Sequence, residues 1–252
     1  MKVSIITVCY NSEATIENTI KSVLSQTHKN IEYIIVDGNS TDNTKTIIQR
    51  YSSAIHQFIS EPDKGLYDAM NKGLQLATGD IISILNSDDV YKDEQVLEQV
   101  LNRFSANTDA VYGDIVYVKR HNTSKIIRYW HAGNFKRYKM KYGWMPPHPA
   151  FFVKATIYKS YGTFNTSFKT SADYELMLRL IYKNNITLHY LPKLLVCMSD
   201  GGQGNASLKN RLKANLEDKK AWLVNGLTPP VFFRLLKPVI KIPQFLFRRK
   251  LE

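Results

Sequence analysis

In the first hundred residues the apolar positions follow two alternating rhythms. Residues 3–8 (VSIITV) and 33–36 (YIIV) are apolar-rich runs of strand length, as expected of strands buried on both faces. Between them Ile16, Ile20, Val23 and Leu24 recur at helical spacing, behind a cap expected at Asn11 or Ser12. Asp37 and Gly38 end the second run and lead into a helix predicted over residues 42–51, and residues 55–59 suggest a third strand. After the segment EPDKG, Leu66, Ala69, Met70, Gly73 and Leu74 share one helical face, with Gly79 placed as the stop. Residues 81–85 form another apolar run, after which Asp88 and Asp89 stand side by side. Val96, Leu97, Val100, Leu101 and Phe104 then mark a further helix.

Strand and helix in alternation predict an α/β fold with a mostly parallel sheet flanked by helices, because right-handed crossovers return successive strands to one sheet in one direction. Open sheets of this kind take ligands beyond the carboxyl ends of their strands. Asp37, Asp88 and Asp89 all fall on that edge. Two adjacent carboxylates repel each other unless water, a cation or donor groups receive them, which marks the end of the 81–85 run as a candidate site.

Beyond residue 105 the pattern is less regular. DAVYGDIVYV and KIIRYW predict two strands, antiparallel across a turn near residues 121–122. MPPHPAFF follows a glycine- and aromatic-rich loop. TSADYELMLRLIY starts a helix with Leu176, Leu180 and Ile181 on its apolar side, and residues 187–191 and 194–198 predict two more strands before SDGGQGN. No repeat, low-complexity tract or dividing linker is visible. Residues 1–203 therefore read as one domain with halves at 1–105 and 106–203, and 204–252 as a basic amphipathic C-terminal helical extension.

Composition narrows the class. With 252 residues, 44% of them hydrophobic, the chain fills a sizeable core and is not generally disordered. Cys9 and Cys197 suggest neither a disulfide framework nor a zinc site; they read as buried free thiols in a reducing compartment. The run after Lys2 contains Ser4 and Thr7 and stops at Asn11, so it reads as a strand rather than a leader, and no run reaches the roughly 18 apolar residues of a spanning helix. The formal charge is +12, and between Lys219 and Leu251 eight cations occur without an acid. That tail interleaves bulky apolar groups with cations and is broken by Pro238 and Pro243. It suits either an anionic membrane surface, where each nearby cation is worth about 1 kcal/mol, or packing on protein. Its aliphatic character and the acidic sheet edge argue against nucleic acid.

Four segments in succession, VSIITVCYNSEATIENTIKSVLSQT, EYIIVDGNSTDNT, EPDKGLYDAMNKGLQLATGDIISILNSDD and TSADYELMLRL, resemble the signature segments of family 2 glycosyltransferases of the GT-A fold, over residues 1–198. The resemblance implies a GT-A-type, Rossmann-like sheet, with residues 1–105 holding a nucleotide sugar and 106–203 facing the acceptor. In that family the acid ending the second strand contacts the nucleotide, which corresponds to Asp37; an aspartate before glycine also suits a turn. The family often carries a second acid where Gly38 stands. Its D-x-D metal motif corresponds to NSDD, with Asn86 in the first acidic position, so Asp88 or Asp89 is the implied ligand of Mg²⁺ or Mn²⁺, hard cations that take carboxylate and phosphate oxygens. The alternative is a pair of acids favoured by the following helix dipole. Asp63 of EPDKG corresponds to a donor-site acid, or caps the next helix. Asp173 corresponds to the general base that deprotonates the acceptor hydroxyl, with Glu175 as a competitor. His148 and Trp144 are candidate acceptor contacts, alongside the aromatics Tyr129, Trp130 and Tyr142.

The implied activity is inverting transfer of a sugar from a nucleoside diphosphate to a hydroxyl acceptor. Likeness to bacterial polysaccharide-assembly enzymes, taken with the tail, implies a saccharide or lipid-linked saccharide acceptor at the cytoplasmic face of the cell membrane. A sugar nucleotidyltransferase would carry a glycine-rich basic loop after its first strand, and a Rossmann dehydrogenase G-x-G-x-x-G; CYNSEAT is neither. A non-catalytic, membrane-associated scaffold retaining the fold stays open because of Gly38 and Asn86.

Overall fold

The computed structural model describes residues 1–119, 122–200, 208–230 and 244. Among these the strands are β1 (Val3–Cys9), β2 (Ile31–Asp37), β3 (Gln57–Ser60), β4 (Ile81–Ile84), β5 (Asp89–Tyr91), β6 (Ala110–Lys119), β7 (Asn122–Trp130), β8 (Phe151–Lys154) and β9 (Leu188–Ser199). They form one sheet in the order β3-β2-β1-β4-β8-β6-β9-β5, with β7 paired to β6. The first four neighbours are all parallel. The second half is mixed, because β8 runs antiparallel to both β4 and β6 while β6 and β9 are parallel. Two reversals restore direction, so β6 ends on the same edge as β1, β2 and β4.

The helices are α1 (Ile16–Leu24), α2 (Thr44–Gln49), α3 (Leu66–Leu76), α4 (Val96–Leu101), α5 (Arg137–Met140), α6 (Ala155–Tyr161), α7 (Ala172–Met177) and α8 (Leu208–Val224). The central strands are buried on both faces, which is why their sequences are nearly unbroken apolar runs. On one face Ile6, Val8, Ile34 and Val36 pack with α3, α6, α7 and α8; on the other Ile5, Tyr33 and Ile35 pack with α1, α2 and α4. Burying a single such side chain is worth about 1.5–3 kcal/mol.

Several boundaries differ from the sequence expectations for identifiable reasons. The first helix starts at Ile16 behind Thr15, without the side-chain cap expected from Asn11 or Ser12. Leu66 is exposed, and Tyr67 takes its place on the buried face of α3. That helix ends at Leu76 rather than at Gly79, whose N–H instead donates to Ser4 Oγ (2.8 Å). The two strands predicted over residues 187–198 are one, β9, because a bulge opposite Asp114 absorbs the break around Pro192. The short β5 and β8 carry too few residues to show a period, and β5 contains Asp89 itself.

Part of the 204–252 extension is integral to the body. In α8, Glu217 accepts the backbone N–H groups of Lys169, Thr170 and Ser171 (2.8, 2.8 and 2.9 Å), and buried Trp222 donates to Tyr174 Oη (2.9 Å). The tail cations from Arg234 onward lie outside the described residues. Gln244 lies beyond the described 208–230 stretch, and its Oε1 accepts Arg128 Nε at 2.6 Å. Among the described residues no helix is long and apolar enough to cross a membrane. Cys9 and Cys197 are buried and free.

At the amino edge of the sheet, Glu32 ties β1, β2 and the turn before β4 together. Its two oxygens accept from Lys2 Nζ (2.7 Å), Thr78 Oγ1 (2.5 Å), Ser4 Oγ (2.5 Å) and Thr78 N (2.7 Å). Burial by itself pushes this carboxyl up, but these donors hold it down at about 2.

Candidate active site

At the opposite edge β1 and β2 end in register, Cys9 beside Asp37. Asp37 is wholly buried and its oxygens are occupied: Ser40 N (3.0 Å), Ser40 Oγ and Ser60 Oγ (2.7 Å) donate to it, and Cys9 Sγ lies 3.6 Å away. Burial raises the Cys9 thiol, and Asp37, Asp42 and Asp63 raise it further, so several acids bear on one point. Asp63 reaches the same spot from the loop after β3. Its Oδ1 accepts Gly65 N at 2.8 Å, and its Oδ2 would stand 2.4 Å from a Cβ added at Gly38. The space of a second acid after Asp37 is thus filled by a carboxylate from another loop, and a side chain at residue 38 would collide with it.

Beyond β4 the chain turns through Asn86–Asp89. Ser87 Oγ meets Ser12 Oγ (2.8 Å), joining this turn to the loop after β1, while Ser199 Oγ and Thr19 Oγ1 hold the carbonyls of Asp88 and Asp89 (2.7 and 2.8 Å). The side chain of Asp88 is half-buried; that of Asp89 is 1% exposed. Asn86 Nδ2 donates to Asp89 Oδ2 (3.2 Å), and among the described residues Asp89 Oδ1 and Asn86 Oδ1 are buried with no hydrogen-bond partner. Burial, and then the adjacent Asp88, push the Asp89 carboxyl well above the ordinary range.

Asp173 lies in the first turn of α7, half-buried, and accepts Tyr67 Oη at 3.1 Å. Tyr67 lies in the first turn of α3, four residues after Asp63, so the candidate base is bonded to the helix that follows the Asp63 loop. Burial and then Asp173 raise the Tyr67 phenol, keeping it a donor. The Tyr67 ring stacks on Phe164 (5.6 Å), and His148 meets Phe164 edge-on (5.6 Å). Burial lowers His148 and Asp173 opposes that, so the two are neighbours. Asp89 and Asp173 also share a neighbour: after burial and the opposing Arg128, both hold the proton on Tyr117. Glu175, the competing acid, is buried and taken by Arg179 Nε and Nη2 (2.9 and 3.0 Å) and Asn225 Nδ2 (3.0 Å). Trp144 donates to Ala132 O (2.8 Å) and meets Tyr112 edge-on, on the same face of the sheet.

Sequence reasoning missed Tyr67 as the partner of Asp173, and Asp114 on β6. Asp114 is buried on this edge. The signal was present, since an aspartate inside YGDIVY breaks an apolar strand.

The fit of a divalent cation can be judged from the oxygens. Among the described residues no three His, Cys, Asp or Glu side chains form a metal cluster. The turn nonetheless offers the Asp88 carboxylate together with two buried oxygens that lack a partner, an all-oxygen set suited to Mg²⁺ or Mn²⁺ once ligand phosphates complete it.

Comparison with known proteins agrees with this architecture. Residues 4–163 match the sequence profile of Glycosyl transferase family 2, and the chain belongs to that family. It is 42% identical over 101 residues to a Bacillus subtilis protein named as a teichuronic acid biosynthesis glycosyltransferase, a match covering 39% of this chain and 40% of that one. Its fold is of the GT-A type. S. aureus TarS 1–349 in complex with UDP-GlcNAc superimposes with a TM-score of 0.65 at 17% identity, over 98% of this chain and 79% of that one. The Pyrobaculum calidifontis mannosyltransferase in complex with GDP-Man and Mn²⁺ gives 0.65 at 17% identity, over 93% and 68%.

Proposed function

We propose that the chain is an inverting glycosyltransferase that moves a sugar from a nucleoside diphosphate to a hydroxyl acceptor in polysaccharide assembly. The observation that carries this reading is the Tyr67–Asp173 hydrogen bond, which fastens a candidate base on the acceptor half to the helix that follows the donor-side loop. Asp37 and Asp63 sit together where the nucleoside would lie. Asp88, the more accessible of the adjacent acids, faces the diphosphate, and Asp89 with Asn86 supports it from beneath. These residues would hold Mg²⁺ or Mn²⁺, which would supply positive charge to offset the negative charge developing on the departing diphosphate.

In the transfer step Asp173 takes the acceptor proton as the acceptor oxygen forms its bond to the anomeric carbon. The anomeric carbon–oxygen bond to the diphosphate breaks with its electron pair passing to the phosphate oxygen, and a single displacement inverts the centre. Tyr67 keeps the carboxylate in place. His148, held neutral by burial, and Trp144 line the acceptor side. A lipid-linked saccharide is the acceptor we favour, reached by peripheral attachment at the inner membrane face.

A thermal-shift panel of nucleoside-diphosphate sugars with and without Mn²⁺ tests the reading. One donor should raise the Tm, because a ligand that binds only the native state stabilises it, and Asp88→Asn should abolish the Mn²⁺-dependent part. No response to any donor overturns it.

A further inference from the structure

Asp114 is the least expected acid on the ligand edge. Gly113 leaves room for Leu195 and Lys193, whose Cδ1 and carbonyl oxygen would stand 2.5 and 2.9 Å from an added Cβ. Two residues along β6 from Tyr112, Asp114 falls on the face that carries Tyr112 and Trp144, while the extra residues of the irregularity lie opposite it in β9. Its carboxylate is 4% exposed and accepts four donors: Ala132 N (2.8 Å), Tyr190 Oη (2.8 Å), Tyr129 Oη (3.1 Å) and His131 Nδ1 (2.9 Å). The imidazole so held is 66% exposed, and the Tyr190 ring stands edge-on to it at 5.9 Å. A buried acid, itself held by two tyrosine hydroxyls, therefore fixes one solvent-facing ring through Nδ1 and leaves Nε2 for another partner.

The ring stands beside an unusual run of charge. From Ile115 to Ala172 the chain has eleven lysines and arginines and no acid. Immediately after His131 come Lys136, Arg137, Lys139 and Lys141, and among the described residues none of these four pairs with an acid. Lys136, Arg137 and Lys141 are exposed. The loop that holds this cluster is tied to β6 beside the proposed transfer site, where Tyr112 Oη donates to Gly133 O (2.8 Å). Tyr112 pairs with Phe151, and His148, a neighbour of Asp173, lies three residues before Phe151.

We propose that His131, oriented by Asp114, forms with the exposed Lys136 and Lys141 that follow it in the chain an anion subsite that binds a phosphate group carried by the acceptor. With Nδ1–H given to Asp114, the ring donates from Nε2 to a phosphate oxygen as the imidazolium, and the ammonium groups, which pair with no acid among the described residues, supply the remaining countercharge. The inference rests on reading this edge as a glycosyl-transfer site, but its test reads binding without turnover. Failure here and failure of the donor-site panel are therefore separate results.

The phosphate belongs either to a free phosphorylated acceptor or to a lipid headgroup, and two arms distinguish them. In the first, histidine ring resonances are followed by NMR during titration with glycerol phosphate slightly below neutral pH, with sodium chloride at matched ionic strength as control. His131→Gln assigns the signal. A saturable movement of His131 alone, weakened roughly fivefold by a Lys136→Gln/Lys141→Gln double variant, supports a free phosphate. In the second, phosphatidylglycerol and phosphatidylcholine vesicles are sedimented with the wild type, His131→Gln and the double variant. Loss of phosphatidylglycerol binding in both variants, without a response to glycerol phosphate, assigns the site to a headgroup. If glycerol phosphate moves every histidine alike or none, and vesicle binding is indifferent to all three substitutions, the proposal is overturned. Asp114→Asn, refolded and checked by circular dichroism, should reproduce the His131→Gln loss.

Discussion

The two edges of the sheet treat buried acids in opposite ways. At the amino edge Glu32 is surrounded by four donors, and its carboxyl is held at about 2. At the carboxyl edge Asp89 has, among the described residues, one side-chain donor, only a minor pull from the Ser199 backbone, an oxygen that meets no hydrogen-bond partner and a like-charged neighbour, and burial pushes its carboxyl upward. Burial disfavours the ionised form at both places; donors reverse the outcome at one and are too few to do so at the other. The difference separates an acid whose charge the fold itself satisfies from one whose charge it leaves largely uncompensated.

The largest effect expected from breaking this contrast is on chemistry. Asp173→Asn should lower nucleoside-diphosphate release on acceptor addition by roughly 10²–10⁴-fold with the fold intact, the usual range for loss of a general base. Next in size, Glu32→Gln should cost about 2–3 kcal/mol in urea unfolding and leave nucleotide binding unchanged. The sign follows from the depressed carboxyl: its contribution is present above the ordinary value of 4.5 and lost as pH falls toward about 2. The variant should lack that acid limb in its stability profile.

A smaller effect belongs to Gly38→Ala, whose methyl group would meet Asp63 Oδ2. Displacing a side-chain carboxylate is less costly than moving backbone, so donor affinity by calorimetry should weaken on the order of fivefold, about 1 kcal/mol. The smallest expected change has the opposite sign to that of Glu32→Gln. With its carboxyl raised in the fold, Asp89 costs stability increasingly as pH rises above the ordinary 3.8, so Asp89→Asn should modestly stabilise the ligand-free protein at neutral pH. Thermal unfolding in the absence of nucleotide checks this, and a clear loss of stability would count against the contrast between the edges.

How much of this was legible in the sequence depended on where the physics is local. Strand β1 and helix α3 announce themselves because burial on two faces or one imposes a period on neighbouring residues. The placing of Asp37, Asp88 and Asp89 on one edge followed from the crossover rule alone. What the chain does not display is any contact between distant loops. The approach of Asp63 to Gly38 depends on how the turn after β3 runs past β2, and the bond from Tyr67 to Asp173 joins residues 106 positions apart. The second half was harder still, because β5 and β8 are shorter than a readable period and the β9 bulge hides one strand as two. Charge is uneven in the body as well as in the tail: the acid-free run from 115 to 172 is longer than the one from 219 to 251.

A crystal structure with a nucleoside-diphosphate sugar and Mn²⁺ tests the account most directly. The account predicts the nucleoside beside Asp37 and Asp63, the diphosphate and cation against Asp88, and the sugar's anomeric carbon facing Asp173. A nucleotide seated at the amino edge near Glu32, or one bound with the Asp88 carboxylate turned away from its phosphates, would contradict it.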